Sequence, residues 1–168
     1  MGVQITREAG RVLLVDAAGR VLLFRGADSE RPQDGQFWFT PGGGLDEGET
    51  HAQGAVRELA EETGLTGVTA GQLGRPVWER DCTFELEAMT FRQHELFFLL
   101  RVDEHVVDVS GFTALEQRTV NDHRWWPVTE LLETAEVVYP TSLPVELELL
   151  LRDGPPPAPR RVASDDGV

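Results

Sequence analysis

Residues Gly42 to Leu65 read Gly-Gly-Gly-Leu-Asp-Glu-Gly-Glu-Thr-His-Ala-Gln-Gly-Ala-Val-Arg-Glu-Leu-Ala-Glu-Glu-Thr-Gly-Leu, a glycine turn that leads into an acidic segment. This segment predicts a helix over Thr50 to Thr63. Thr50 and Gln53 have the spacing of a capping box, and Gly64 stands where a left-handed C-terminal cap is expected. A mostly apolar stripe at helical spacing gives the helix a face for the core. Its members are Ala52, Ala55, Val56, Leu59 and Thr63.

Three carboxylates of this helix are predicted to share one face. Glu58, Glu61 and Glu62 stand at positions i, i+3 and i+4, away from the Val56 and Leu59 stripe. Like charges at this spacing repel by about 0.2–0.5 kcal/mol per pair. A divalent cation would remove that cost, since hard cations such as Mg²⁺ prefer oxygen ligands. A solvated acidic face is the alternative that the triplet alone leaves open.

Neighbouring residues favour the metal interpretation. Arg57 can pair with Glu61 at i+4 or with Glu49 in the preceding loop, which would hold the acidic face in a fixed geometry. The glycines at 42 to 44 allow backbone groups to approach a ligand closely.

The stretch resembles the signature of the Nudix hydrolase family: Gly, five residues, Glu, seven residues, Arg-Glu, an aliphatic residue, any residue, Glu-Glu, any residue, Gly and an aliphatic residue. A chance match at a given start is on the order of 10⁻⁹ or lower, from average residue usage. The matching residues are Gly43, Glu49, Arg57, Glu58, Leu59, Glu61, Glu62, Gly64 and Leu65.

The resemblance implies an α/β fold, an α/β/α sandwich with a mixed β-sheet between helices. It also implies that Mg²⁺, with Mn²⁺ as an alternative, is bound by the signature carboxylates. The implied metal-binding set is Gly42 (through its carbonyl), Glu58, Glu61 and Glu62. Arg57 and Glu49 would orient these acids.

The implied reaction is attack of water on a phosphorus atom of a diphosphate. A general base would take the proton of that water. Glu116 is the candidate, since several relatives carry a catalytic or metal-binding Glu in the corresponding connection, here 103–123. A solvated loop residue is the alternative for Glu116, and Glu61 and Glu95 are the other candidates for the base. The predicted catalytic set is Glu61, Glu116 and Arg57.

Four residues are candidates for binding the substrate. Gly43 and Gly44 allow close approach to it, and Arg25 could pair with a phosphate or lie free on the surface. Trp38 could stack on a base, worth about 1–3 kcal/mol, or pack in the core. The four histidines, His51, His94, His105 and His123, show no metal-ligand spacing in the sequence and are assigned to surface or core.

The family resemblance leaves the substrate open. Nucleoside triphosphates, ADP-ribose, dinucleoside polyphosphates and nucleotide sugars all contain a suitable diphosphate. Markers for ADP-ribose, coenzyme A and diadenosine substrates place a Pro or Tyr about sixteen residues past the signature, where this chain has Arg80-Asp81-Cys82-Thr83. The alternative function is a catalytically silent Nudix module that senses nucleotides or binds a protein partner. An isoprenoid diphosphate isomerase would need catalytic Cys and Glu residues in a different signature.

Composition limits the partners and the location. A net charge of −14 over 168 residues argues against a nucleic-acid partner, although bound cations would still admit a small phosphate-bearing substrate. No apolar run is long enough for a membrane span. The lone Cys82 fits the reducing cytoplasm and is interpreted as a buried, inert thiol. Many relatives form dimers, so a homodimer is a further expectation.

The remaining pattern predicts one domain over residues 1–151 and a disordered Pro-rich tail over 152–168. The last strand should precede two helices, Thr129–Glu136 and Leu143–Leu151. The predicted strands are Arg11–Asp16, Val21–Arg25, Gln36–Thr40, Val68–Trp78, Thr83–Phe91, Glu95–Val102 and Arg124–Val128.

Overall fold

A computed structural model describes residues 2–166, which contain nine strands and five α-helices. The strands are β1 (Val3–Val15), β2 (Arg20–Gly26), β3 (Phe37–Phe39), β4 (Gly42–Gly44), β5 (Trp78–Leu86), β6 (Met89–Arg101), β7 (Val120–Pro127), β8 (Val137–Val138) and β9 (Arg160–Arg161). The helices are α1 (His51–Thr63), α2 (Ala70–Leu73), α3 (Ala114–Thr119), α4 (Val128–Glu133) and α5 (Leu143–Asp153).

The strands form one mixed sheet in the order β8-β3-β2-β1-β6-β5-β9, with β4 paired to β1 and β7 to β2. β1 and β6 run parallel over their full length, from Val3 opposite Met89 to Val15 opposite Arg101. β5 and β6 form an antiparallel hairpin, and β4 pairs antiparallel with residues Ala9 to Arg11 of β1. The glycine turn is therefore fixed to the central strand.

The two faces of the sheet build separate cores because side chains alternate along each strand. Val12 and Leu14 of β1 pack with Ala55 and Leu59 of α1 on one face. Leu13 on the other face belongs to a second cluster with residues of α4 and α5. Helices cover both faces, and the predicted α/β/α sandwich with a mixed sheet is confirmed. Among residues 2–166, none of the helices has the length and apolarity that a bilayer crossing requires.

Two strand predictions differ from the structure. Within Val68–Trp78, the chain forms the short helix α2, whose start is capped by Thr69 and Gln72, and extended structure begins only at Trp78. The predicted strand Thr83–Phe91 is divided by a turn at Glu87 and Ala88, which both have positive φ. Asp28 accepts a hydrogen bond from the Glu87 backbone, so a distant contact helps to hold a turn that has no glycine.

The prediction of a disordered tail over 152–168 is wrong for residues 152–166. β9 pairs with β5, and Val162 is buried in the core cluster that α5 also joins. The carbonyls of Ala163 and Ser164 accept hydrogen bonds from the Arg80 guanidinium. Pro-rich composition indicated disorder, but this segment is held by a sheet edge and a buried arginine. Residues 167–168 lie outside the described range.

Candidate functional site

The helix α1 is fixed at both ends by the local signals that the sequence contains. Thr50 and Gln53 form the capping box, and Gly64 adopts a left-handed conformation with φ 74°. Ala55 and Leu59 are fully buried against the sheet. Gly10 of β1 lies so close that a Cβ atom there would stand 2.3 Å from the carbonyl oxygen of His51. The helix therefore presents its carboxylates from a fixed position.

Glu58, Glu62 and Glu116 converge, with carboxylate oxygens that lie within 4.8 Å of one another. Glu58 and Glu62 come from α1, while Glu116 comes from the first turn of α3, which Thr113 caps. Two elements that are far apart in the chain thus supply one carboxylate cluster. A cluster of three acids that includes the buried Glu62 suits a hard cation such as Mg²⁺.

The glycine turn lies against this carboxylate cluster. The Gly42 amide donates a hydrogen bond of 2.8 Å to Glu62 Oε2. A Cβ atom on Gly43 would stand 2.9 Å from Glu58 Oε1, so a larger residue would displace that carboxylate. Gly42 has φ 140°, and a Cβ atom on it would stand 2.3 Å from the Gly10 carbonyl oxygen. The turn needs glycine here because backbone and carboxylates share a narrow space.

Arg57 links the loop to the acidic face of α1. Its guanidinium makes two 2.9 Å contacts to Glu49 and donates to the Gly44 carbonyl at 3.0 Å. The same group lies 3.0 Å from Glu58 Oε1 and 3.3 Å from Glu61 Oε2. The hydrogen bonds to Glu49 raise the pKa of Arg57 and keep it charged. This geometry suits a positioning role for Arg57, as the family resemblance implies.

Burial and mutual repulsion favour protonation of Glu58 and Glu62 in the carboxylate cluster. Burial is the largest effect raising the pKa of Glu62, followed by a hydrogen bond with Glu116 and the charge of Glu58. Burial also raises the pKa of Glu58, although the contact with Arg57 opposes the shift. A cation that neutralises these charges would do the same work as the proton. The carboxylate cluster therefore fits a divalent ion on electrostatic as well as geometric grounds.

Two predicted metal ligands have other contacts. Glu61 lies outside the carboxylate cluster, with 41% of its side chain exposed and its carboxylate turned to Arg57. The Gly42 carbonyl accepts a hydrogen bond of 3.1 Å from Arg11, and Gly42 meets the carboxylates through its amide instead. The i+4 spacing had allowed both roles for Glu61, metal ligand and partner of Arg57, and the structure shows the contact with Arg57.

Trp38 and Arg25, two candidates for binding the substrate, both have partners within the protein. Trp38 is 4% exposed and packs edge-on against Trp126, so it is a core residue with no face free for a base. Arg25 donates to Asn121 at 2.8 Å and lies 3.7 Å from Asp122. The alternation along β3 turns Trp38 inward, which sequence alone left open.

Arg7 lies at the site although no motif in the sequence points to it. Its guanidinium borders the glycine turn, since a Cβ atom on Gly44 would stand 2.9 Å from Arg7 Nη1. Its Nε donates to the neutral amide oxygen of Gln93 at 2.6 Å. Burial and the charge of Arg11 lower the pKa of Arg7, which marks a cation that an incoming anion would stabilise. Only the pairing of β1 with β4 brings it to the site.

Glu95, a candidate for the general base, is a buried ion-pair partner instead. It lies 2.6 Å from Arg11 and 2.9 Å from Arg80. Burial alone would raise the pKa of Glu95, but the two arginines outweigh it and lower that pKa to about 2. A carboxylate held in this way is a weak proton acceptor. Burial and the charge of Glu95 raise the pKa of the neighbouring Cys82 to about 12, in keeping with an inert thiol.

The fold and the site together are those of a Nudix domain. They combine a mixed sheet with helices on both faces, a capped acidic helix and a glycine turn against the carboxylates of that helix. The family model described as NUDIX domain matches residues 5–144, and the chain belongs to this family. An RNA pyrophosphohydrolase of Brucella ovis is 41% identical over 69 residues, which span 41% of this chain and 35% of that protein. The matched stretch is thus about a third of the relative's length.

Solved structures agree on the fold. A MutT NUDIX hydrolase from Burkholderia pseudomallei superposes with a TM-score of 0.60 at 18% identity, covering 84% of this chain and 97% of that one. An Ap4A hydrolase of C. elegans gives a TM-score of 0.58 at 19% identity, covering 88% and 98%. At these identities the likeness concerns the fold alone.

Proposed function

We propose that the protein is a divalent-metal-dependent pyrophosphohydrolase that cleaves a diphosphate linkage in a nucleotide-like substrate. The observation that carries this proposal is the convergence of Glu58, Glu62 and Glu116 beside the glycine turn. The family and the name of the Brucella relative support the same reaction class.

Glu58 and Glu62 would hold the metal, for which Mg²⁺ is the proposed ion, and Glu116 lies beside them in the carboxylate cluster. When bound, it would neutralise charge on the phosphate oxygens and lower the pKa of a coordinated water. The protein's own contribution is orientation. The Gly42 amide fixes Glu62 and Arg57 fixes Glu58, so the two carboxylates keep their positions as substrate enters.

Glu116 is proposed as the acceptor of the proton from the attacking water. It is carried on α3, apart from the other two acids, and its contact with Glu62 places it at the edge of the carboxylate cluster. A positioned base contributes about 10²–10⁴-fold to such reactions. A role as a third metal ligand fits the same distances, and the two roles differ in the measurements described below.

Arg7 is proposed to bind a phosphate of the substrate. The guanidinium of Arg7 borders Gly44. Because its partner Gln93 is uncharged, that hydrogen bond does not neutralise the charge of Arg7. A guanidinium recognises phosphate through paired hydrogen bonds. Gly43 and Gly44 are proposed to let the substrate approach the backbone closely. The positions where their Cβ atoms would stand are bordered only by the ends of the Glu58 and Arg7 side chains.

A small nucleotide is the proposed substrate class, since the net charge of −14 repels long polyanions. The name of the Brucella relative adds the 5′ end of RNA as a second class to test. At such an end only the terminal phosphates need to enter the site.

A substrate panel tests the proposal. It contains a nucleoside triphosphate, ADP-ribose, a dinucleoside polyphosphate, a nucleotide sugar and a 5′-triphosphorylated oligoribonucleotide, each with Mg²⁺ and with a chelator. Phosphate-containing products should form from at least one compound with Mg²⁺, and chelation should stop the reaction. Nucleotide binding without turnover on any compound would contradict hydrolysis and would instead indicate a silent sensing module.

A further inference from the structure

Glu8, His51 and His94 form a second group of metal-binding side chains, separate from the carboxylate cluster. One donor atom from each residue lies within 4.8 Å of the others. From the sequence, both histidines are assigned to surface or core, since 43 positions separate them and no metal-ligand spacing links them. The fold joins them, since Glu8 and His94 are direct neighbours across β1 and β6 and His51 opens α1.

The carboxylate of Glu8 already contacts both histidines. Glu8 Oε2 lies 3.0 Å from His51 Nε2 and within hydrogen-bond distance of His94 Nδ1. Ligand atoms around a tetrahedral zinc ion with bonds of about 2.0–2.1 Å stand about 3.3 Å apart. Small rotations of the side chains would therefore convert the hydrogen-bonded group into a coordination shell.

The surroundings of His94 resemble the outer shell of a metal site. Its second ring nitrogen, Nε2, lies 3.1 Å from Glu79 Oε2. A carboxylate that accepts the outer N–H of a ligating histidine fixes the tautomer that leaves the other nitrogen free for metal. Glu79 is itself held by Arg161 at 3.1 Å, so this partner is fixed by the C-terminal segment.

We propose that Glu8, His51 and His94 form a binding site for a borderline transition-metal ion, with Zn²⁺ as the best fit, and that Glu79 orients His94. Two imidazoles and one carboxylate match Zn²⁺, whereas Mg²⁺ prefers all-oxygen sites such as the carboxylate cluster. All three side chains are partly exposed, which leaves the remaining coordination positions to water.

The proposed zinc site is independent of the proposed hydrolysis. His51 and Glu58 are seven residues apart on α1, about 10 Å along the helix axis. A bound ion would tie β1 and β6 to the first turn of the helix that carries Glu58 and Glu62. Its expected effect is to stabilise this end of the fold.

The test is a zinc competition titration against a chromophoric chelator, with the full chain and millimolar Mg²⁺ to occupy the carboxylate cluster. Wild type and Glu62→Gln should each retain one equivalent of Zn²⁺. His51→Gln and His94→Gln should bind at least about 100-fold more weakly, and the outer-shell variant Glu79→Gln about 10–100-fold more weakly. His123→Gln, at an exposed position of β7, is the matched control and should bind like wild type.

Thermal unfolding gives a second readout, since bound Zn²⁺ should raise the Tm of wild type but not of His94→Gln. Circular dichroism checks the fold of each variant. Because the three proposed ligands lie on three different elements, a variant that fails to fold leaves the variants of the other two informative. Absence of a zinc equivalent in wild type, or equal binding by His94→Gln and wild type, would overturn the proposal.

Discussion

The two buried glutamates Glu95 and Glu62 have opposite electrostatic surroundings. Glu95 lies between Arg11 and Arg80, while Glu62 lies among other carboxylates. The pKa of Glu95 is lowered and the pKa of Glu62 is raised. The first carboxylate stabilises the fold in its charged form, and the second is kept where charge is unfavourable until a cation arrives.

Glu62→Gln should stabilise the protein in a chelator at pH 8. The raised pKa of Glu62 means that the stability from its proton is full below the ordinary value of 4.5 and is lost as pH rises through the folded-state pKa. Glutamine removes that loss, so the Tm should rise by at least about 2 °C, the shift expected from about 1 kcal/mol. The gain should shrink toward pH 4, and a lower Tm at pH 8 would argue against the buried-charge account.

Glu95→Gln should destabilise the protein by about 3–5 kcal/mol, because it leaves two buried arginines without their carboxylate. The lowered pKa means that the stabilisation is present above the ordinary value of 4.5 and is lost as pH falls toward about 2. Urea unfolding at pH 7 and pH 3 measures both effects. A variant as stable as wild type at pH 7 would contradict the ion-pair assignment.

Glu116→Gln separates the two roles of that residue. As the base, its loss should lower kcat by about 10²–10⁴-fold while the Mg²⁺ concentration at half-maximal rate stays the same. A large shift in the Mg²⁺ midpoint with kcat restored at high Mg²⁺ would show that Glu116 is a ligand instead.

At the scale of elements, the glycine turn depends on Gly43 for the position of a ligand. Gly43→Ala places a Cβ atom 2.9 Å from the flexible end of Glu58, so the carboxylate must move. We expect kcat/KM to fall about 10–100-fold with little change in Tm. Gly71→Ala is the control, since nothing but Thr69 at 3.9 Å approaches its Cβ position. Equal activity of Gly43→Ala and wild type would show that Gly43 in the glycine turn does not contribute to catalysis.

Elements with local signals were predictable, and elements held by distant contacts were not. The ends of α1 follow from Thr50, Gln53 and Gly64, which act within one turn of the helix. The turn at Glu87 has no such signal, and a contact with Asp28 across 59 positions helps to hold it. Sequence periodicity reflects interactions between residues that are close in the chain. It therefore fails to predict the structure where tertiary contacts override local preference.

At the scale of the whole molecule, the C-terminal segment covers the outer edge of the sheet. Val162 joins the main core, and Asp165 contacts both Arg80 and Thr141. Deleting residues 160–168 should expose Arg80 and lower the Tm by several degrees, in line with the loss of about 2–3 kcal/mol of packing and ion pairing. Differential scanning calorimetry measures this, and an unchanged Tm would show that the segment adds nothing to the fold.

The candidate site is also a property of the whole molecule. The family signature supplied Glu58 and Glu62, and its resemblance pointed to Glu116, which the fold brings beside them. Arg7 had no signal, because its role depends on β1 pairing with the glycine turn. A sequence shows which groups a chain possesses, whereas their convergence requires the packed sheet.

The most direct test is the rate of diphosphate hydrolysis against Mg²⁺ concentration, on the best substrate of the panel, for wild type, Glu62→Gln and Glu47→Gln. Glu47 lies exposed in the same loop and serves as the control. A functional carboxylate cluster predicts that Glu62→Gln loses at least about 100-fold in rate at every Mg²⁺ concentration while Glu47→Gln keeps the wild-type curve. Coincident curves for Glu62→Gln and wild type would contradict the central claim.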